Sequence, residues 1–165
     1  MTTDLTFDAV LPPMSEMENI NHMMARALKM ERFGQCFFSL FHELVEDEDS
    51  KILFQHLATE NARNCDAFIE EMMINEGEIA EKRIFNPEMM FNKGARVIKD
   101  EGLTSIMGYA IEIERRLMKF YRMALTDIKN SGIRKLLKEL ANAKERNKHA
   151  IEECLVLKQM EMALS

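Results

Sequence analysis

Apolar side chains recur at three-and-four spacing along four separate stretches of this chain, and polar residues interrupt each stripe near its middle. The first stripe runs Ile20, Met24, Ala27, Glu31, Gly34, Phe38, Phe41 and Val45, and the second Leu53, Leu57, Asn61, Asn64, Phe68 and Met72. The third is Met107, Ala110, Glu114, Leu117, Tyr121 and Leu125, and the fourth Ile133, Leu137, Leu140, Lys144, Asn147, Ile151 and Cys154. This spacing lines up one face of an α-helix. The chain therefore predicts four amphipathic helices and an all-α fold.

Punctuation between the stripes sets the boundaries. Ser15 followed by Glu18 has the pattern of a capping box. Residues 46–49 are an acidic turn, with Asp49 or Ser50 expected to cap the second helix, and Gly77 ends that helix. The third helix is expected over about residues 103–129, and Asn130-Ser131-Gly132 turns it into the fourth. Residues 77–102 break the period with Asn86-Pro87, Gly94 and Gly102, and a short helix is expected near residues 87–92. Short links make antiparallel neighbours. The expected domain is then residues 15–163, with hairpin one at 15–76, a long crossover at 77–102 and hairpin two at 103–163. Residues 1–14, with Pro12 and Pro13 and no helical period, form an N-terminal tail.

Glu114 is the residue that most needs a reason, because it points where a core should be. An unpaired carboxylate there costs several kcal/mol or stays protonated, so the chain must supply a metal, a cation or hydrogen-bond donors. The stretch around it occurs twice. Residues 27–38, ALKMERFGQCFF, carry Ala27, Glu31, Arg32 and Phe37 where residues 110–121, AIEIERRLMKFY, carry Ala110, Glu114, Arg115 and Phe120, 83 positions later. The same offset relates Leu53, Leu57, Ala58, Arg63, Asn64, Ala67 and Glu70 to Leu136, Leu140, Ala141, Arg146, Asn147, Ala150 and Glu153. The halves read as copies, with a pseudo-twofold relating residues 20–72 to 103–155. Stacking the four stripes brings Glu31, Asn61, Asn64, Glu114, Lys144 and Asn147 into one central polar layer.

This layout resembles the rubrerythrin-like branch of the ferritin-like superfamily over most of residues 20–158. The motifs that carry the resemblance are Glu31 with Phe37-Phe38 and Glu114 with Phe120-Tyr121, each followed on the next helix by Leu-Ala, at Leu57-Ala58 and Leu140-Ala141. The resemblance implies a ferritin-like four-helix bundle of two repeated hairpins joined by the crossover. In that family each odd helix gives a glutamate and each even helix a Glu-x-x-His, which together hold two irons. Here Asn61-Ala62-Arg63-Asn64 and Lys144-Glu145-Arg146-Asn147 stand in place of those motifs, and Ile111 stands where a further glutamate would be. Glu31 and Glu114 remain as remnant metal ligands. Rescue by Glu60, or by Glu145 with His149, would need the two helices to rotate in opposite senses. His22, His42, His56 and His149 fall off the layer. A Lys144 ammonium about 5 Å from a divalent ion would repel it by roughly 7 kcal/mol at an effective dielectric of about 20. The expectation is that Lys144 bridges Glu31 and Glu114 while Asn64 and Asn147 add amide hydrogen bonds. No cofactor is expected; iron or another divalent metal is the alternative.

Composition narrows the rest. At 165 residues, 47% hydrophobic and 30% charged, the chain fits one globular domain. A net charge of −6 without a basic, aromatic-studded patch argues against nucleic acid, and no apolar run is long enough for a membrane span. Residues 1–13 lack the basic and apolar regions of a secretory signal, so the cytoplasm is the expected compartment. Cys36, Cys65 and Cys154 are expected to be reduced thiols. Met14, Met17, Met23, Met24 and Met30 crowd helix one, and Met160 and Met162 end helix four, which points to a homodimer surface. The expected function is that of a non-catalytic binding or scaffold protein with a degenerate di-iron site. The alternative is a peroxide reductase or ferroxidase type of oxidoreductase. The resemblance alone supports it, against the missing ligands and the lack of a cysteine-rich rubredoxin module.

Overall fold

The computed structural model describes residues 16–76 and 101–165, and every regular element among them is helical. We label them α1 (Glu16–Leu44), α2 (Glu48–Glu76), α3 (Leu103–Asp127) and α4 (Ser131–Leu164). The tail, the cap expected at Ser15 and the short helix expected near residues 87–92 lie outside the described residues. The cap of α2 differs from the expected one. Asp47, rather than Asp49 or Ser50, holds the helix start: its Oδ2 accepts from the Ser50 backbone N–H at 2.9 Å and from the Ser50 hydroxyl at 2.6 Å. It immediately precedes the first helical residue, from which a short carboxylate reaches the third N–H of the helix. Asn130 does the same for α4, accepting from the Ile133 N–H at 3.0 Å. Gly102 enters α3 at φ 81°, in the left-handed region that a side chain disfavours.

Polar clamps at both ends fix how the helices run. At one end Glu16 Oε1 accepts from the backbone N–H groups of Lys129 and Asn130 at 2.7 and 3.0 Å, so α1 begins where α3 gives way to α4. Arg134 braces the same link by donating to the carbonyls of Leu125 and Ile128. At the other end the Lys158 ammonium lies 2.9 Å from both Asp47 and Asp49, so α4 ends where α1 gives way to α2. The helices pack most extensively as α1 on α2 and α3 on α4, with lighter α1–α3 and α2–α4 contacts. All four neighbouring pairs are thus antiparallel. The end of α2 and the start of α3 consequently lie at opposite ends of the bundle.

The stripes read from the sequence face inward. Every residue of the first is buried, and in the others only Leu53, Asn64, Leu125, Ile133 and Cys154 are half-buried. The core divides into two apolar clusters. One gathers Met24, Phe68, Leu117, Ile128 and Leu137, and the other Phe38, Phe54, Leu57, Met107 and Ile151. Between them lies the polar layer. In α1, Met23 and Met24 are buried and Met30 is half-buried, and among the methionines whose burial is described Met123, Met160 and Met162 are exposed. No helix among the described residues is long and apolar enough to cross a membrane.

Helices α1 and α2 approach closely at Gly34. A Cβ there would lie 2.7 Å from Asn61 Nδ2, a distance real contacts essentially never show. Alanine is the better helix former by about 1 kcal/mol, yet overpacking a core costs about 1–3 kcal/mol. Gly34→Ala is therefore expected to lower stability, because Asn61 is held in place by its own hydrogen bond and cannot step aside freely. Urea denaturation checks this, and an unchanged or raised midpoint would show that the Asn61 amide yields.

Candidate functional site

The polar layer draws one residue or more from each helix. Glu31 comes from α1, Glu60, Asn61 and Asn64 from α2, Glu114 and Tyr121 from α3, and Lys144 and Asn147 from α4. Helical spacing explains why they meet. Asn61 and Asn64, and likewise Lys144 and Asn147, are three residues apart and share a face. Glu114 and Tyr121 lie two turns apart on theirs.

Glu31 is the best-satisfied carboxylate. Its Oε2 accepts from Asn61 Nδ2 at 2.6 Å and from Lys144 Nζ at 3.1 Å, and its Oε1 accepts from the Tyr121 hydroxyl at 2.6 Å and from Asn64 Nδ2 at 3.2 Å. Four donors thus converge on one fully buried carboxylate. Lys144 Nζ lies 3.6 Å from Glu60 Oε1 and 3.6 Å from Glu114 Oε2 as well. Three carboxylates therefore share one ammonium. Asn147 Nδ2 links two of them, donating to Glu60 Oε1 at 2.9 Å and to Glu114 Oε2 at 3.4 Å.

Glu114 is much less well served. Its Oε2 has one long amide hydrogen bond and the ammonium, and its Oε1 is buried without a partner. The amide oxygen of Asn61 is in the same position, because donating to Glu31 turns Oδ1 away. Burial pushes the Glu114 carboxyl up to about 7, and Glu31 and Glu60 add to the rise while Lys144 and Asn147 oppose it. Burial works against the Lys144 ammonium, but Glu31, Glu114 and Glu60 outweigh it and raise its pKa above the ordinary lysine value. Burial and the neighbouring Glu31 push the Tyr121 phenol well above its usual range, so it remains a donor.

The structure brings together all six residues singled out in the sequence, and it adds two. Glu60 lies one position off the α2 stripe, and the sequence excludes it as a substitute ligand because using it with Glu145 and His149 would need the two helices to rotate in opposite senses. Its side chain is long enough to curl inward, and only 17% of it remains exposed. Tyr121 stood in the apolar stripe as a ring, yet its hydroxyl makes one of the two shortest bonds to Glu31. Its place two turns beyond Glu114 was the available signal. The histidines stand apart: His22, His56 and His149 are exposed, and His42 Nδ1–H donates to the Lys51 carbonyl at 2.9 Å.

These residues do not fit a pair of irons. There is no imidazole in the layer, and the point on which the carboxylates converge is taken by an ammonium. Their nearest oxygens stand 3.1–3.6 Å from Nζ, so the ammonium fills the space between them. Among the described residues no group of three or more His, Cys, Asp or Glu side chains is arranged to hold a metal ion. Cys65 lies nearby but is fully buried, and burial pushes its thiol up to about 12, which keeps it protonated and unreactive. Comparison with protein-family models, with curated proteins and with solved structures finds no match to this chain.

The layer makes stability depend on pH near neutrality. A carboxyl whose pKa is about 7 folded, against an ordinary value of 4.5, binds a proton in the folded chain that the unfolded chain has released. Its contribution is fully present below about pH 4.5 and is lost as pH rises through 7. Over that window the loss is on the order of 3 kcal/mol. Chemical denaturation between pH 5 and pH 8 is expected to show stability falling with pH. Glu114→Gln, which is neutral at every pH, is expected to flatten the curve. An equally steep fall in that variant would place the proton elsewhere.

Proposed function

We propose that this chain is a rubrerythrin-like, ferritin-like four-helix bundle in which a lysine ammonium has replaced the di-iron centre, and that it serves as a non-catalytic binding or scaffold protein. The observation that carries this reading is the position of Lys144 Nζ, within 3.1–3.6 Å of Glu31, Glu60 and Glu114 at the middle of the bundle. A fixed positive charge there performs the electrostatic task of a metal without redox chemistry or an open coordination position.

Two further features support the proposed ancestry. Antiparallel neighbours, with the end of α2 and the start of α3 at opposite ends, suit two hairpins joined by a long crossover. The hydrogen bonds also repeat: Asn64 donates to Glu31 and Asn147 to Glu114, each across 33 residues. Where the copies diverge, Asn61 faces Glu31 in the first half and Lys144 faces Glu114 in the second. A scaffold role needs surface to offer, and the bundle has it. Val156, Leu157, Met160 and Leu164 leave an exposed apolar stretch at the end of α4, and a groove of about 380 Å³ lined by Met30, Phe37, Tyr109, Ile113 and Leu117 lies between α1 and α3.

Anaerobic titration with ferrous iron, followed by elemental analysis, tests the reading. The unmodified protein is expected to retain no stoichiometric iron and to melt at the same temperature with and without it. The combined variant Asn61→Glu, Asn64→His, Lys144→Glu and Asn147→His is expected to bind two irons and to melt higher when loaded. Tight uptake of two equivalents by the unmodified protein would put the oxidoreductase reading ahead.

A further inference from the structure

We infer that the centre of the bundle is an all-oxygen cation pocket whose permanent occupant is the chain's own Lys144 ammonium, and that shortening this side chain opens the pocket to one hard divalent ion such as Ca²⁺. The inference rests on the reading above and goes beyond it in naming the ligand class, the stoichiometry and the donors.

Every atom facing Nζ within 3.6 Å as an ionic partner is a carboxylate oxygen, from Glu31 on α1, Glu60 on α2 and Glu114 on α3. Two more oxygens belong to the same layer, Glu114 Oε1 and Asn61 Oδ1, both buried and without a partner. Glu31, Asn61, Glu114 and Lys144 are each 0% exposed. The donor set is therefore carboxylate and amide oxygen, with neither imidazole nor thiolate in it, and such a set suits ions of the Ca²⁺, Mg²⁺ and Mn²⁺ kind over softer metals.

Ca²⁺ fits best among these. It accepts irregular arrangements of six to eight oxygens at about 2.3–2.6 Å, whereas Mg²⁺ demands a tight octahedron. Bringing oxygens from 3.1–3.6 Å to that distance needs a shift of about 1 Å, within reach of glutamate side-chain rotation. Removing the lysine beyond Cβ frees the space of its methylenes and ammonium and leaves three carboxylates facing one another with no cation. That repulsion drives binding. One site results, because a second ion would need donors that the layer lacks. Glu60 is a ligand in this pocket although the family pattern assigns nothing to its position.

Calorimetric titration of the full chain with Ca²⁺, alongside circular dichroism, tests the inference. The unmodified protein is expected to bind none. Lys144→Ala is expected to bind one equivalent and to melt at a temperature that rises with Ca²⁺ concentration. Adding Glu60→Gln to it should weaken binding roughly tenfold by removing one ligand charge. If Lys144→Ala is unfolded without the ion, folding on addition of Ca²⁺ supports the pocket just as well. A Lys144→Ala protein that folds without binding Ca²⁺, or that stays unfolded in its presence, overturns the inference. So does equal Ca²⁺ binding by the unmodified protein, since its lysine would then not be the occupant. Uptake of two ferrous ions by the unmodified protein is a separate result, and it would overturn the metal-free reading of the preceding subsection.

Discussion

One ammonium shared by three carboxylates in the middle of an apolar bundle is the interaction on which the rest of the structure depends. Isolated, any one of these charges would be excluded from such a core. Together they are tolerated because Lys144 touches all three, and because Asn61, Asn64 and Tyr121 complete the shell of Glu31. Glu114 is fully buried with one long amide hydrogen bond and an unpartnered Oε1, and burial, with Glu31 and Glu60 adding to it, raises its pKa. Networks of this kind add little net stability but are costly to break. They also fix register, since sliding any helix by one turn would separate several partners at once.

The two apolar clusters and the end clamps can be understood from this layer outward. Phenylalanine-rich packing on one side and the Met24, Phe68 and Leu137 cluster on the other exclude water from the charges and so strengthen their attraction. Gly34 lets α2 come close enough for Asn61 to reach Glu31. Glu16 and Lys158 tie the chain at opposite ends, each holding the link of the other hairpin.

Much of this was legible in the sequence. Three-and-four spacing identified the inward face of all four helices, because a long stripe leaves little freedom in how a helix can bury itself. The polar residues within those stripes, Glu31 and Glu114 above all, marked the layer for the same reason. Three features were less accessible. Glu60 lies one position off its stripe, and only side-chain flexibility brings it in. Tyr121 presents as an apolar ring until its hydroxyl has a partner. The α2 cap moved to Asp47 because several acidic residues stand in a row, and composition alone does not choose among them. Which carboxylate would carry the proton was also beyond the sequence, since it depends on how donors are divided between Glu31 and Glu114.

The central claim is that the Lys144 ammonium supplies the charge that holds the layer together. Chemical denaturation of Lys144→Met at several pH values tests it most directly, because methionine keeps most of the volume and removes the charge. The variant is expected to lose roughly 3–5 kcal/mol at pH 7, as for one partner removed from a buried ion pair, and to lose more at pH 8 than at pH 5, where the carboxylates can protonate. A Lys144→Met protein as stable as the unmodified one at pH 7 would contradict the account.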